Sequence, residues 1–539
     1  MADESAPRLC LVTGSRGCGK STLLAWLVAH GTRPGTPAQR RVHAFVPLRC
    51  LGLRAAAWTL ADQLQLSAPS PADLLQALAL DPRPTTIVLP DLHTSAAPDA
   101  LTELVAALLG LDHIRLIAEI DSQSPATDVL ASHRPAVMNL DHDQWTDADR
   151  LVAWRRQHRP SFAPLPEPTW IRSTLQDLDD PAHVTAADPL QVTTHYEASH
   201  HDHGGLRTAW LRAGQSLISE HQPSLRALLL LAALGDSADP RLRHELTAFA
   251  ADASWQLLWS RVSGDIRPPW PGPARALAFG PAPDTTLLVA DHQGVVRILS
   301  VIDAHPAGRL SRPFHPTNTL VSLPDATVLA LTGQGQLDAQ RLTVPSQSTG
   351  ISALLTDHAS TSELLIDTLR EHLARHPGRV VAASTSLLAV ADRTGAVYAF
   401  PSHSPTDGPR KATLHQAPVT AMAVVDLHAS ESFDDTEPVP LLFSGALDGK
   451  VHAWAPGKEA MPTPIAARPA PVTALAAAHT PTGPSLAIAW ADGLIEHHHL
   501  NSGTLRTFRP GPPVQALALT PQGHMVVGAE EMLICLSPR

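Results

Sequence analysis

The sequence predicts a multidomain chain of three parts: a parallel α/β domain, an α-helical connector and an all-β propeller. Three observations predict it. Short β-branched runs alternate with helical segments over the first 140 or so residues. Apolar residues then fall at helical spacing between 143 and 268. From about Pro271 short strands recur around a set of spaced turn glycines. Alternation of the first kind marks a parallel sheet covered by helices, and strand units recurring every ~40–50 residues mark propeller blades. The expected boundaries are 1–142, 143–268 and 269–539.

In the first part the candidate strands are 8–13, 42–47, 85–89, 114–120 and 136–139, with helices near 21–30, 54–66, 72–80 and 98–109. Ser70-Pro71 pairs an N-cap residue with the proline favoured at the first helical position, and Gly110 is placed to stop a helix. In the second part, 146–157, 205–220, 224–234 and 240–260 read as helices. A polar loop, 176–204, interrupts them and contains His195, Glu197, His200, His201, Asp202 and His203. Such groups can ligate zinc or nickel, but 29 histidines bring clusters together cheaply, so a solvated loop is the simpler reading. The same holds for the run His497 to His499.

In the third part the clearest repeats are 273–299, 471–498 and 513–536, with 314–342, 378–400 and 417–454 less regular. Their turn glycines, Gly294, Gly335, Gly395, Gly449 and Gly493, recur at intervals of 41, 60, 54 and 44 residues. Asp448-Gly449 and Asp492-Gly493 suit tight hairpin turns, where positive φ is required. The stretch 343–377, with a helix at 361–375, reads as an insertion. Six blades are expected, or seven if the insertion holds a degenerate one. The last repeat stops at its third strand, 532–536. A bare edge there would be a template for pairing, so 256–268 are expected to supply the missing outer strand.

Composition excludes several classes. A net charge of −11 and a pI near 6.2 argue against a sequence-independent nucleic-acid surface. The most apolar stretch, Ala227 to Leu234, is far shorter than the roughly 18–20 residues that span a bilayer. The opening MADESAPRLC lacks the features of a signal peptide. Cys10, Cys18, Cys50 and Cys535 lie far apart without metal-ligand spacing, which fits a reducing, cytoplasmic setting.

One motif carries chemistry. Gly14-Ser15-Arg16-Gly17-Cys18-Gly19-Lys20-Ser21 matches G-x-x-x-x-G-K-[ST], preceded by an apolar strand and followed directly by the helical pattern near 21–30. Glycines let backbone N–H groups wrap phosphates, and the helix N-terminus adds a favourable dipole. Lys20 would reach the β- and γ-phosphates, and the Ser21 hydroxyl would ligate Mg²⁺. The first 410 residues contain a single lysine, and it is this one. Cys18 inside the loop reads as a small filler, although the N–H dipoles and Lys20 could lower its pKa.

On these residues the chain resembles the P-loop (Walker A) NTPases. A P-loop domain, a helical segment and a propeller in that order resemble the AAA-like signalling ATPases of the STAND class, whose sensor arrays are commonly WD40-type repeats. The resemblance implies that the helical part, 143–268, acts as a lid. It also implies ATP and Mg²⁺ as cofactors, bound at Gly14, Ser15, Arg16, Gly17, Cys18, Gly19, Lys20, Ser21 and Thr22. Lys20 and Asp91, the acid that follows Ile87-Val88-Leu89-Pro90, would be the catalytic pair, with Asp91 holding Mg²⁺ through its water shell. Families that hydrolyse ATP briskly place a second acid after this one, whereas Leu92 and His93 come next here. If Pro90 takes the magnesium position, Asp91 is instead the water-polarising acid. Either way one acid is missing, which implies slow hydrolysis. The strand 114–120 stands where the family carries a polar sensor, but it ends in Glu119-Ile120-Asp121-Ser122, and no sensor is assigned.

No N-K-x-D motif is present, which favours adenine over guanine, and no L-S-G-G-Q element points to a transporter-type ATPase. The repeats are WD40-like rather than true WD40: Ala455 follows Trp454, and no Gly-His pair opens a blade. The expected function is an ATP-binding signalling switch, or slow ATPase, whose propeller recruits a protein partner, with assembly into a homo-oligomer allowed by the resemblance. The alternative is an interaction scaffold with a structural or degenerate nucleotide site. A P-loop kinase or transferase is disfavoured, because 49–54 is a faint candidate for a substrate loop and such folds seldom carry propellers.

Overall fold

The computed structural model describes residues 6–15, 17–142, 145, 149, 177–265, 270, 272–283, 285–342, 361–404, 408–427 and 438–539. The chain divides into two compact units, Met1–His221 and Gln222–Arg539. The stretch expected as one helical region is therefore shared between them. Its first segment, 146–157, lies outside the described residues except for Asp149.

The first unit is built on five parallel strands, β1 (Leu9–Thr13), β2 (Ala44–Phe45), β3 (Thr85–Leu89), β4 (Ile114–Glu119) and β5 (Ala136–Asn139). Their order is β2-β3-β4-β1-β5. All five residues of β3 are buried, as an apolar run covered on both faces should be. The covering helices are α1 (Lys20–Gly31), α2 (Leu53–Gln63), α3 (Pro71–Leu80), α4 (Pro98–Leu109) and a short one not expected, α5 (Pro125–Ala131). Ser70 and Asp73 close a reciprocal capping box at the start of α3. The connection from β1 runs to one edge of the sheet and that from β4 to the other. Such a reversal opens a crevice at the carboxyl ends of the strands.

Among the described residues this unit also contains α6 (Pro181–Ala186), α7 (Pro189–Ala198), α8 (Leu206–Ala213) and α9 (Ser216–Ser219). Most of 176–204, expected as a loop, is thus helical. Asp180-Pro181 and Asp188-Pro189 each supply an aspartate cap and a proline at the first turn, signals that the polar composition hid. The expected single helix 205–220 breaks at Gly214, where φ is +60°. The Gln215 side chain accepts from the Ala68 N–H and donates to the Leu66 carbonyl, tying this segment to the end of α2.

The second unit opens with α10 (Pro223–Ala233) and α11 (Pro240–Phe249), then β6 (Trp255–Val262). The expected helix 240–260 therefore stops at Phe249, because strand pairing takes the residues beyond it. Six sheets follow. Their strands are 276–279, 286–290, 296–300 and 306–309; then 319–322, 327–331 and 337–341; then 378–383, 387–392, 396–401 and 410–413. The fourth comprises 419–427, 439–446, 450–454 and 466–467, and the fifth 472–480, 483–490, 495–499 and 504–508. The sixth has 514–519, 525–529 and Met532–Pro538, with β6 as its fourth strand. The inner strands touch in sequence around a circle, and 514–519 meets 276–279 to close it. This is a six-bladed β-propeller. The expected closing strand pairs antiparallel with the chain's last strand, Ile534 opposite Ser260 and Met532 opposite Val262. Residues 266–268 of that expectation lie outside the described residues.

The insertion carries α12 (Thr361–Arg375), whose Leu365, Ile366, Leu369 and Leu373 pack with Leu329, Leu331, Val390 and Tyr398. All five expected turn glycines have positive φ, between 69° and 90°. A Cβ at Gly294, Gly395 or Gly449 would run into the backbone oxygen of Phe314, His415 or Arg468 respectively. Each turn is thereby wedged against the chain entering the next blade. His415 braces one such junction: its Nε2 lies 2.9 Å from Ser444 Oγ and its Nδ1 3.4 Å from Asp448. Three residues before Pro418, it works without a preceding glycine. Arg468, three residues before Pro471, takes the same place in the next blade and donates to Asp492 at 2.7 Å. Among the described residues no helix is long and apolar enough to cross a membrane.

Candidate nucleotide site

The glycine-rich loop leaves β1 at Gly14 and enters α1 at Lys20, with Gly14, Gly17 and Gly19 at φ values of +137°, +86° and +103°. These are angles that only glycine adopts cheaply, so the loop conformation needs the glycines that the motif specifies. Among the described residues, chain neighbours aside, nothing lies within 4 Å of where a Cβ would stand on Gly17 or Gly19, whereas one on Gly14 would come 2.7 Å from Cys18 Sγ. Cys18 thus fills the inside of the loop, and its N–H reaches the Ser15 carbonyl at 3.3 Å. Arg16 lies outside the described residues.

Lys20 is 9% exposed and folds back over the loop. Its Nζ donates to the Gly14 and Ser15 carbonyls, at 2.7 and 3.0 Å. Ser21 and Thr22 are exposed on the first turn of α1, free to meet a ligand outside it. Asp91 follows β3 and Pro90 with φ of +60°, heading the short turn Leu92–Thr94 without using its carboxylate as a cap.

Two acids join these residues. Glu119, the last residue of β4, sits directly opposite Val12 of β1. It is 3% exposed, and its Oε2 has no hydrogen-bond partner among the described residues. Burial first, then the Asp91 carboxylate, push its pKa up, while the Lys20 ammonium opposes them. Glu119 therefore shares its electrostatic surroundings with both sequence-predicted catalytic residues. The second acid is Asp141, just beyond β5, whose carboxylate takes the Ser15 N–H and hydroxyl. The sequence places Glu119 at the end of the strand at the expected sensor position without giving it a role, and gives no signal for Asp141.

No three His, Cys, Asp or Glu side chains gather into a metal site among the described residues. An Mg²⁺ ion here would depend on phosphate oxygens as well as Ser21 and Asp91. That is how this ion is commonly bound, through one or two carboxylates plus substrate phosphates. The open faces of Gly17 and Gly19 and the orphaned Glu119 oxygen fit a bound group of that kind.

The histidine-rich cluster does other work. Both Glu197 oxygens accept from Arg54 N–H at the start of α2, at 3.2 Å. Asp202 receives the Thr208 N–H at 3.0 Å, and His203 lies between Asp179 and Ser199, 2.9 Å from each. In the propeller, a cavity of about 260 Å³ runs along the inner strands, lined largely by alanine, leucine and valine with no titratable side chain.

No family model matches the sequence, and no curated protein matches it. Among solved structures, the chain is similar to the WD40 β-propeller domain of Doa1, at 11% identity and a TM-score of 0.34, over 53% of this chain and 98% of that one. The propeller assignment stands on strand order and ring closure, independently of that match.

Proposed function

We propose that the first unit binds ATP with Mg²⁺ and that the chain is a signalling switch or slow ATPase whose propeller recruits a protein partner. The observation that carries this reading is the position of Lys20. A buried ammonium is held on two carbonyls of a loop in which Gly17 and Gly19 face open space, where arriving phosphates could take it over. Asp91 and Ser21 would hold the ion, which would neutralise charge on the β- and γ-phosphates. The propeller offers a rigid ring suited to recruiting a partner, and four free cysteines suit the reducing cytoplasm. The test is equilibrium binding of a fluorescent ATP analogue with Mg²⁺. Lys20→Ala is expected to abolish binding, and a variant that binds as well as wild type would overturn the reading.

Asp141 favours a second reading, the interaction scaffold. Its carboxylate already holds a loop N–H, which weakens the case for an anion there. Steady-state turnover and nucleotide-dependent protease sensitivity separate the two, since the scaffold shows neither.

A further inference from the structure

Glu119 is the unexplained group in the first unit. A carboxylic acid with 3% exposure and an unpartnered oxygen is costly to bury, and structures keep such groups where they have work to do. Its position is fixed by the sheet. Register places it opposite Val12, two residues before the loop begins, and Ala118 beside it pairs with Leu89, two residues before Asp91. It thus stands at the carboxyl ends of two neighbouring strands, β1 and β3, that lead to the two halves of the site. Leu92 and His93 follow Asp91, so β3 supplies no second acid.

We propose that β4 supplies it instead: Glu119 is the carboxylate that holds and deprotonates the water attacking the γ-phosphate of ATP. This rests on the nucleotide-binding reading above. In the step, the water oxygen bonds to the γ-phosphorus as its proton passes to Glu119. The bond from phosphorus to the β,γ-bridging oxygen breaks, and its electron pair leaves with ADP. Glu119 then returns the proton to the phosphate formed. ATP and water are the only reactants, and ADP and phosphate the only products.

Glu119→Gln keeps the shape and removes the proton acceptor. In the full-length protein this variant is expected to bind the fluorescent ATP analogue with Mg²⁺ within about threefold of wild type. It should lose about 100-fold or more in single-turnover hydrolysis. It should also bind ADP with aluminium fluoride, which mimics the attacked phosphate, at least tenfold more weakly. Glu119→Asp, which withdraws the carboxylate by one methylene, should lose turnover while keeping ATP affinity. Hydrolysis by Glu119→Gln at the wild-type rate overturns the proposal. So does a wild-type protein that binds ATP but never turns it over, an outcome that leaves the binding site standing. Wild-type protein that does not bind ATP overturns both.

Discussion

The Asp141 carboxylate receives both the backbone N–H and the hydroxyl of Ser15, at 2.6 and 2.8 Å, across 126 residues of chain. It fastens the start of the glycine-rich loop to the strand next to it, where Leu140 N–H also reaches the Thr13 carbonyl. The same contact sets a negative charge beside the loop proposed to hold phosphates. Asp141→Asn keeps an acceptor and removes that charge. Nucleotide affinity is then expected to rise about threefold with little change in thermal stability, since an exposed charge so near a phosphate acts through partly screened water. Titration with the fluorescent analogue checks it, and a fall in affinity would mean that Asp141 belongs to the binding machinery.

Two glycines with almost the same φ predict different costs. Gly449 (φ +69°) would drive a Cβ into the Arg468 carbonyl oxygen, whereas Gly503 (φ +68°) has nothing within 4 Å. Gly503→Ala should cost about 1 kcal/mol, the backbone strain alone. Gly449→Ala should cost about 3 kcal/mol or more, because the next blade must also move. Urea denaturation of the two variants measures the difference, and equal midpoints would show that the turn does not wedge its neighbour.

Acid should loosen the propeller at His497. Burial holds this imidazole down at about 4, with Arg506, His498 and His499 adding to the effect, and neither ring nitrogen has a partner among the described residues. In the unfolded chain it titrates near the ordinary value of about 6.5, so the unfolded state takes up the proton first. The stability it contributes is complete above about pH 6.5 and is lost as pH falls toward 4, by about 3 kcal/mol at the limit. The ring stands edge-on to Trp255 of β6, at 5.4 Å between centroids. His497→Gln should therefore flatten the pH dependence of unfolding between 7 and 4.5 relative to wild type.

Local signals explain what was legible in the sequence. β3, four of the five helices of the sheet domain and the turn glycines were readable because apolar runs, caps and positive φ leave marks within a few residues. Trp255–Val262 was readable as a strand only through an argument about the unfinished last blade, while its own apolar spacing also suited a helix. α6 and α7 were obscured by polar composition, although Asp-Pro pairs announced both. The missing Gly-His pair hid the place of His415, because what matters is reach to Ser444 and Asp448 rather than the preceding residue. Glu119 was visible as the end of the strand at the expected sensor position but carried no role there, since its company depends on strand order. Asp141 could not be found at all: its partner, Ser15, is at the other end of the domain's sequence.

The pairing of β6 with the final strand makes the propeller a problem of scheduling. Val262 leaves the ribosome roughly 270 residues before Met532, its opposite number. At about 5–20 residues per second, the first strand waits some tens of seconds for its partner. Throughout that wait Trp255 to Val262 is an unpaired edge, open to any other nascent strand. Gln256, Ser260 and Arg261 interrupt its apolar residues and act as gatekeepers over that interval. Pairing so distant in sequence is also intrinsically slow to form. The ring is thus most exposed to misassembly before it exists, and the polar residues of β6 protect a moment in synthesis as well as, through the Arg261 bond to the Asp303 carbonyl, a place in the finished fold.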